Sequence, residues 1–165
     1  MAQNIQYFFQ EALNKANVDE GNANNISAIV SYTLQKGVKA LWMGDLETKF
    51  MENIQNEVKW PKVDVLFAPH HGRKTGKIPS DILEQLDPQV IILGHAENWE
   101  YMDYYGGYNT IKRTSGGDIQ MDCSNGKIDF FSSEQSYTEN FLEIDDSHST
   151  HEGLYYFGSM KTRSR

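Results

Sequence analysis

Cysteine is almost absent from this chain of 165 residues, in which Cys123 is the only one. A single cysteine excludes an intramolecular disulfide and is typical of a reducing compartment, so we expect a cytoplasmic protein. No apolar run approaches the roughly 18 residues of a membrane span, and the first residues lack the regions of a signal peptide. The sequence therefore predicts no association with a membrane.

Positive charge is also scarce, with 15 basic residues against 23 acidic ones and a net charge of −8. Such a chain repels phosphate backbones at long range and offers nucleic acid no broad basic surface. Arg73, Lys74 and Lys77 form one basic cluster, which is either a solvated loop or the place where a phosphate-containing substrate would pass. A hydrophobic content of 39% nevertheless indicates a folded domain with a buried core.

Two short apolar runs each stop at side chains of a metal-binding type. Residues 40–43 lead into Asp45, and residues 63–69 lead into His70 and His71. Bounded apolar runs are typical of buried strands, and the apolar residues between them recur with helical spacing. In a parallel α/β arrangement both strands end at the same sheet edge, so a carboxylate and one or two imidazoles would meet there. These ligands suit Zn²⁺, Mn²⁺ or Fe²⁺.

Each of these fragments also has a purely structural interpretation. Asp45 precedes the predicted helix and would serve as its N-cap, whereas His70 and His71 would be loop residues bonded to backbone carbonyls. The metal interpretation is favoured because both fragments occur together, on consecutive strands and in this order.

Periodicity and turn signals predict the remaining elements. In the first half of the chain they are an amphipathic helix over residues 3–16 and a hairpin of strands 26–34 and 38–43. A helix that begins near Pro79 and a strand over 90–93 follow. The last elements are a hairpin around Asn125-Gly126 and two short apolar segments, 141–144 and 154–157, that would pair as strands. The tyrosine-rich stretch 99–108 would stack on a base or a sugar or, as we favour, pack internally. Residues 145–151 are rich in metal-ligand types but are interpreted as a polar loop.

As a set, these motifs resemble the C-terminal half of a metallo-β-lactamase-fold hydrolase, in particular the hydrolase domain of DNA-uptake (competence) channel proteins and its free-standing relatives. The matching residues are Asn25 and Ser27, Gly44 to Glu47, His70 to Gly72, Gly94 with Asn98, and Arg113-Thr114 before the Gly126 hairpin. The resemblance divides the chain into an N-terminal helix and loop (1–23), the half-domain (24–131) and a polar, aromatic C-terminal extension (132–165).

The resemblance implies a mixed α/β (α+β) fold. This fold would be the C-terminal half of an αββα sandwich. Its mixed sheet would carry helices on one face and leave an apolar face uncovered on the other. Because such a face does not stay in water, the partner would be an upstream half-domain chain or a second copy in a homo-oligomer. Alternatively, the N-terminal helix and the aromatic C-terminal tail of the chain itself would cover this face.

The resemblance also implies roles for individual side chains. Asp45 would bridge two metal ions, and His70 or His71 would be a ligand of one of them. The residues expected to contact substrate are Arg73, Lys74 and His95. Metal-activated water would then attack a phosphodiester or another ester.

The chain departs from the family at its main metal motif. His-x-His-x-Asp-His does not occur upstream of Asp45, and the first histidine of the chain is His70. Asp45 and the histidine pair supply too few ligands for a dinuclear Zn or Mn site. The sequence therefore predicts a partial metal-dependent hydrolase that is inactive alone. The alternative is a non-catalytic binding or regulatory half-domain that completes or modulates a partner chain.

Overall fold

The computed structural model describes residues 23–34, 37–97, 100, 107–124, 126–145 and 150–163. The predicted helix of residues 3–16, most of the tyrosine-rich stretch and residues 146–149 of the polar loop lie outside these ranges. Within them, no helix has the length and hydrophobicity needed to cross a bilayer.

The described residues form a mixed α/β fold with two β-sheets. The first sheet has the strand order β1-β2-β3-β4-β5, with β1 at Val30–Thr33, β2 at Lys39–Trp42, β3 at Val65–Phe67, β4 at Val90–Leu93 and β5 at Asn109–Lys112. The second has the order β6-β7-β9-β8, with β6 at Ile119–Ser124, β7 at Lys127–Ser132, β8 at Thr150–His151 and β9 at Leu154–Lys161. The helices are α1 (Thr48–Ile54), α2 (Ser80–Leu86) and α3 (Arg113–Gly116), with 3-10 turns at Ala23–Ile26, Pro69–Gly72 and Lys74–Gly76.

The first sheet is mixed, as predicted. β1 runs antiparallel to β2, with Val30 opposite Trp42, whereas β2, β3, β4 and β5 are parallel to one another. The predicted hairpin of the first two strands is therefore confirmed. Because β2 and β3 are parallel neighbours, the segments that follow them emerge at the same edge of the sheet.

Alternation along the strands separates the two faces of the first sheet. Leu41, Leu66 and Ile91 lie on one face in a buried cluster with Phe50 of α1 and Ile82 of α2. Successive side chains of a strand point to opposite faces, which is why one residue from each central strand meets the helices. The predicted packing of helices on one face is confirmed.

The opposite face is covered by the second sheet. Ala40, Val65 and Ile92 belong to a second buried cluster that also contains Phe130 of β7 and Phe157 of β9. The apolar face is therefore not left uncovered, and of the covers predicted for it the aromatic C-terminal tail is observed. Strand β9, within the C-terminal 34 residues (132–165), pairs along β7 and extends the predicted Asn125-Gly126 hairpin into a four-stranded sheet.

Candidate metal centre and adjoining cleft

Asp45 lies in the turn that follows β2 and is held there by its backbone. Gly44 has a φ of 57°, and a Cβ atom at this position would lie 2.6 Å from Cβ of Ser27. The Asp45 N–H donates a hydrogen bond of 2.8 Å to Ser27 Oγ. The helix after the turn has Glu47 as its N-cap and no side-chain capping bond, so the N-cap interpretation of Asp45 was wrong.

The 3-10 turn before β1 supports the same loop. The Glu47 N–H donates to Oδ1 of Asn25 at 3.4 Å, and the Asn24 side-chain amide donates to Oε1 of Glu47 at 3.0 Å. Asn25 is buried. Buried amides of this kind are retained where they satisfy backbone groups, and here they fix the loop that carries Asp45.

The two histidines after β3 have different neighbours. His70 and His71 both have left-handed backbone angles, with φ of 50° and 58°, and Gly72 continues the left-handed turn with φ of 84°. Nδ1 of His70 lies 2.9 Å from the hydroxyl of Thr75. Nε2 of His71 instead lies 3.7 Å from Oδ1 of Asp45. The structure thus brings His71, rather than His70, to the carboxylate.

Gly94, at the end of β4, makes room for His71. A Cβ atom on Gly94 would lie 2.7 Å from Nδ1 of His71 and 3.0 Å from its Cα. The neighbouring strand end is tied in by Thr114, whose hydroxyl donates to the Ala96 carbonyl at 2.9 Å. The loops after β2, β3, β4 and β5 therefore converge on the edge where Asp45 and His71 meet.

Asp45 and His71 fit two positions of a metal site. Their side chains are about half exposed, at 48% and 51%. Two ligands about 2.1 Å from a tetrahedral zinc ion lie about 3.4 Å apart, so a spacing of 3.7 Å needs only a small adjustment. Within the described ranges, no group of three or more His, Cys, Asp or Glu side chains lies close enough to hold an ion. A metal ion at this edge would therefore have at most two such ligands from the described part of the chain.

The three residues predicted to contact substrate differ in burial and in partners. Nε of Arg73 lies 3.3 Å from Oε2 of Glu100 without the alignment of a hydrogen bond, and this nitrogen is buried. Lys74 and His95 are exposed. None of the three predicted residues belongs to the described lining of the cleft beside Asp45.

That cleft has a volume of about 480 Å³ and lies between the edge of the first sheet and strand β6. Its lining residues are Trp42, Gly44, Asp45, Phe67, Ala68, His71, Ile92, Gly94, Arg113, Asp118, Ile119 and Met121. The Trp42 and Phe67 rings stack with centroids 3.8 Å apart and planes 11° from parallel. At one wall, the Arg113 guanidinium donates to Oδ1 of Asp118 at 2.8 Å.

Sequence reasoning missed the aromatic wall of the cleft. Strand alternation carried the signal, because Trp42 shares a face with Ala40 and Phe67 shares a face with Val65. Both aromatic residues stand at the last position of their strands, where the covering sheet leaves a gap.

Comparison with known proteins adds no relative. No family model matches this chain, and no curated protein matches it in sequence. A functional assignment therefore depends on the geometry of the sheet edge.

Proposed function

We propose that this chain is a metal-binding half-domain related to the metallo-β-lactamase-fold hydrolases. In this proposal Asp45 and His71 hold a divalent ion, Zn²⁺ or Mn²⁺, and a partner supplies the remaining ligands. The observation that carries the proposal is the 3.7 Å approach of Oδ1 of Asp45 to Nε2 of His71 at the ends of adjacent parallel strands.

The motif residues support this proposal by their positions. Asn25 and Ser27 bond to the loop of Asp45, and Gly94 packs against His71. These residues are far apart in sequence, yet they meet at one edge of the sheet. A sandwich of two sheets with helices outside the first is also the layer order that an αββα relative requires on this side.

When bound, a divalent ion in such a site lowers the pKa of a coordinated water and supplies a nucleophile for a phosphodiester or another ester. The residues of this chain would then bind the ion, hold the carboxylate loop and attract the substrate. Asp45 and His71 would bind the ion, and the hydrogen bond that the Asp45 N–H donates to Ser27 Oγ keeps the carboxylate loop in place. Lys74, which is exposed, would attract a substrate anion.

A partner is needed for ligands rather than for burial. The second sheet already covers the apolar face of the first. A catalytic zinc site uses three protein ligands, one more than Asp45 and His71 provide. An upstream half-domain or a second copy of the chain would supply the missing ligand.

The second candidate is a non-catalytic binding or regulatory half-domain that modulates a partner. It is favoured by the number of ligands, since the described residues gather no third His, Cys, Asp or Glu at the pair. The two candidates differ in whether addition of the partner creates hydrolytic activity.

Calorimetric titration of the purified chain with Zn²⁺ and with Mn²⁺ tests the metal site. We expect one ion per chain, with the affinity lowered about tenfold or more in Asp45→Asn and in His71→Gln. His70→Gln and His95→Gln are matched controls, because both remove an imidazole from the same region without touching the pair. Equal binding by all four variants, or no binding by the wild type, would overturn the proposal.

Native mass spectrometry of the same samples shows whether the chain is a monomer or an oligomer and whether it holds metal. Metal held in an oligomer indicates a site completed between copies. A metal-bound monomer indicates that a different chain must complete the ligand set. Hydrolysis of bis(p-nitrophenyl) phosphate by the chain alone is expected to be absent. Activity that disappears in Asp45→Asn would contradict the claim that the site is incomplete.

A further inference from the structure

We propose that the cleft beside Asp45 binds a small molecule that joins a flat aromatic ring to a cationic group such as an amidinium. This site shares Asp45 with the metal site proposed above but does not depend on it, and it refers to the metal-free chain because a metal ion on Asp45 would compete with the cation. The inference combines an exposed aromatic stack, a cavity of about 480 Å³ and the charges on its walls.

The aromatic stack supplies a surface for the ring. Phe67 covers one face of the Trp42 indole, with centroids 3.8 Å apart, yet 49% of Trp42 remains exposed. An exposed indole at the wall of a cavity offers a flat apolar surface on which a ligand ring can pack. A second flat ring would extend the stack in the offset geometry that aromatic rings prefer.

The charges of the cleft select a cation. Asp45 and Asp118 are acidic, and the one arginine, Arg113, is already paired with Asp118. A cation held near Asp45 would therefore meet a carboxylate, and a cation over the indole would gain from the electron-rich face of the ring.

The remaining walls fit a small organic molecule. Ile92 of β4 and Ile119 and Met121 of β6 give the cleft an apolar lining around the aromatic stack. Pockets for small ligands have volumes of about 300–1,000 Å³, with mostly apolar walls and a few polar groups that fix orientation. This cleft has that volume and that distribution of groups.

Benzamidine is the probe for this site, with benzamide and benzoate as isosteric neutral and anionic analogues. Binding is measured by calorimetry and by saturation-transfer NMR on the metal-free chain in EDTA. We expect benzamidine to bind more tightly than benzamide, and benzamide more tightly than benzoate. In Asp45→Asn, the affinity for benzamidine should fall close to the affinity for benzamide.

Trp42→Leu tests the stack, and the expected loss of benzamidine affinity is about tenfold. Ile144→Ala is the control, since it also alters an exposed apolar residue but lies away from the cleft. Circular dichroism checks that both variants keep the wild-type fold.

The site is overturned if benzamidine does not bind, if Trp42→Leu leaves its affinity unchanged, or if benzamide or benzoate binds as tightly. Because the titrations contain EDTA, a failure of ring binding leaves the metal measurement unaffected. Conversely, the expected order of affinities for the three probes does not require that the chain also bind a metal ion.

Discussion

Phe130→Ala tests whether the second sheet is an integral cover of the first. Phe130 is fully buried in the cluster that joins β7 and β9 to the first sheet, and its ring lies 5.9 Å from that of Phe157. Truncation of a fully buried phenylalanine removes its transfer free energy and leaves a cavity, which together cost about 3–5 kcal/mol. We expect the free energy of unfolding to fall by this amount.

Urea denaturation followed by circular dichroism and by tryptophan fluorescence measures the loss. With an m-value of about 2 kcal/mol per M, the midpoint should fall by about 2 M. Phe130→Leu nearly conserves the volume and should cost less than about 1.5 kcal/mol, which keeps the test informative if the alanine variant does not fold. Ile144→Ala, at a position that is 65% exposed, should stay within about 0.5 kcal/mol of the wild type.

Two results would refute the reasoning behind this prediction. An unfolding free energy for Phe130→Ala within about 1 kcal/mol of the wild type would mean that the ring is not buried between the sheets. Separate transitions by the two probes in the wild type would mean that the second sheet unfolds independently of the first.

Three further predictions address single groups. Gly94→Ala places a methyl group 2.7 Å from Nδ1 of His71, so we expect weaker Zn²⁺ binding by calorimetry and a stability loss of about 1–3 kcal/mol by urea denaturation. Unchanged affinity would mean that the pair is not the metal site. Burial raises the pKa of the Cys123 thiol to about 11, so alkylation by iodoacetamide at pH 8 should be slow in the folded chain and fast in urea. Equal rates in both states would contradict that environment. Burial opposes ionisation of Asp87, but hydrogen bonds from Arg163 and a neighbouring lysine hold the pKa of this carboxyl below its ordinary value. The resulting stability is present above the unfolded pKa of about 4 and is lost as the pH falls through the lower folded value, so Asp87→Asn should cost up to about 1 kcal/mol at pH 7 and nothing near pH 2.

The central strands could be predicted from the sequence because their signals are local. Apolar runs bounded by glycine and proline give β2, β3 and β4, and the Asn125-Gly126 turn gives the hairpin of β6 and β7. The completion of the second sheet by β9 could not be predicted with equal ease. β9 pairs with β7 across a polar segment, and no local pattern specifies a partner at that separation.

At the candidate site too, the features encoded by neighbouring residues were predicted, and those that depend on residues distant in sequence were not. The order of the strands predicted that Asp45 and the histidine pair would meet at one edge, and they do. The sequence could not decide between His70 and His71, because the decision depends on a left-handed turn that is uncommon for any residue other than glycine. The cleft with Trp42 was missed because its second wall comes from Met121, which is distant in sequence.

The left-handed turn is itself an argument for the site. Each non-glycine residue in this region costs on the order of 1 kcal/mol, and His70 and His71 adopt it in succession. Glycine or asparagine would form the same turn with less strain. Strain of this kind persists where surrounding contacts enforce it, and here the His70 N–H bonds to the Gly44 carbonyl at 2.9 Å, which joins the turn to the loop of Asp45. A chain that tolerates this cost and places an imidazole 3.7 Å from a carboxylate supports a role for His71 that depends on its side chain.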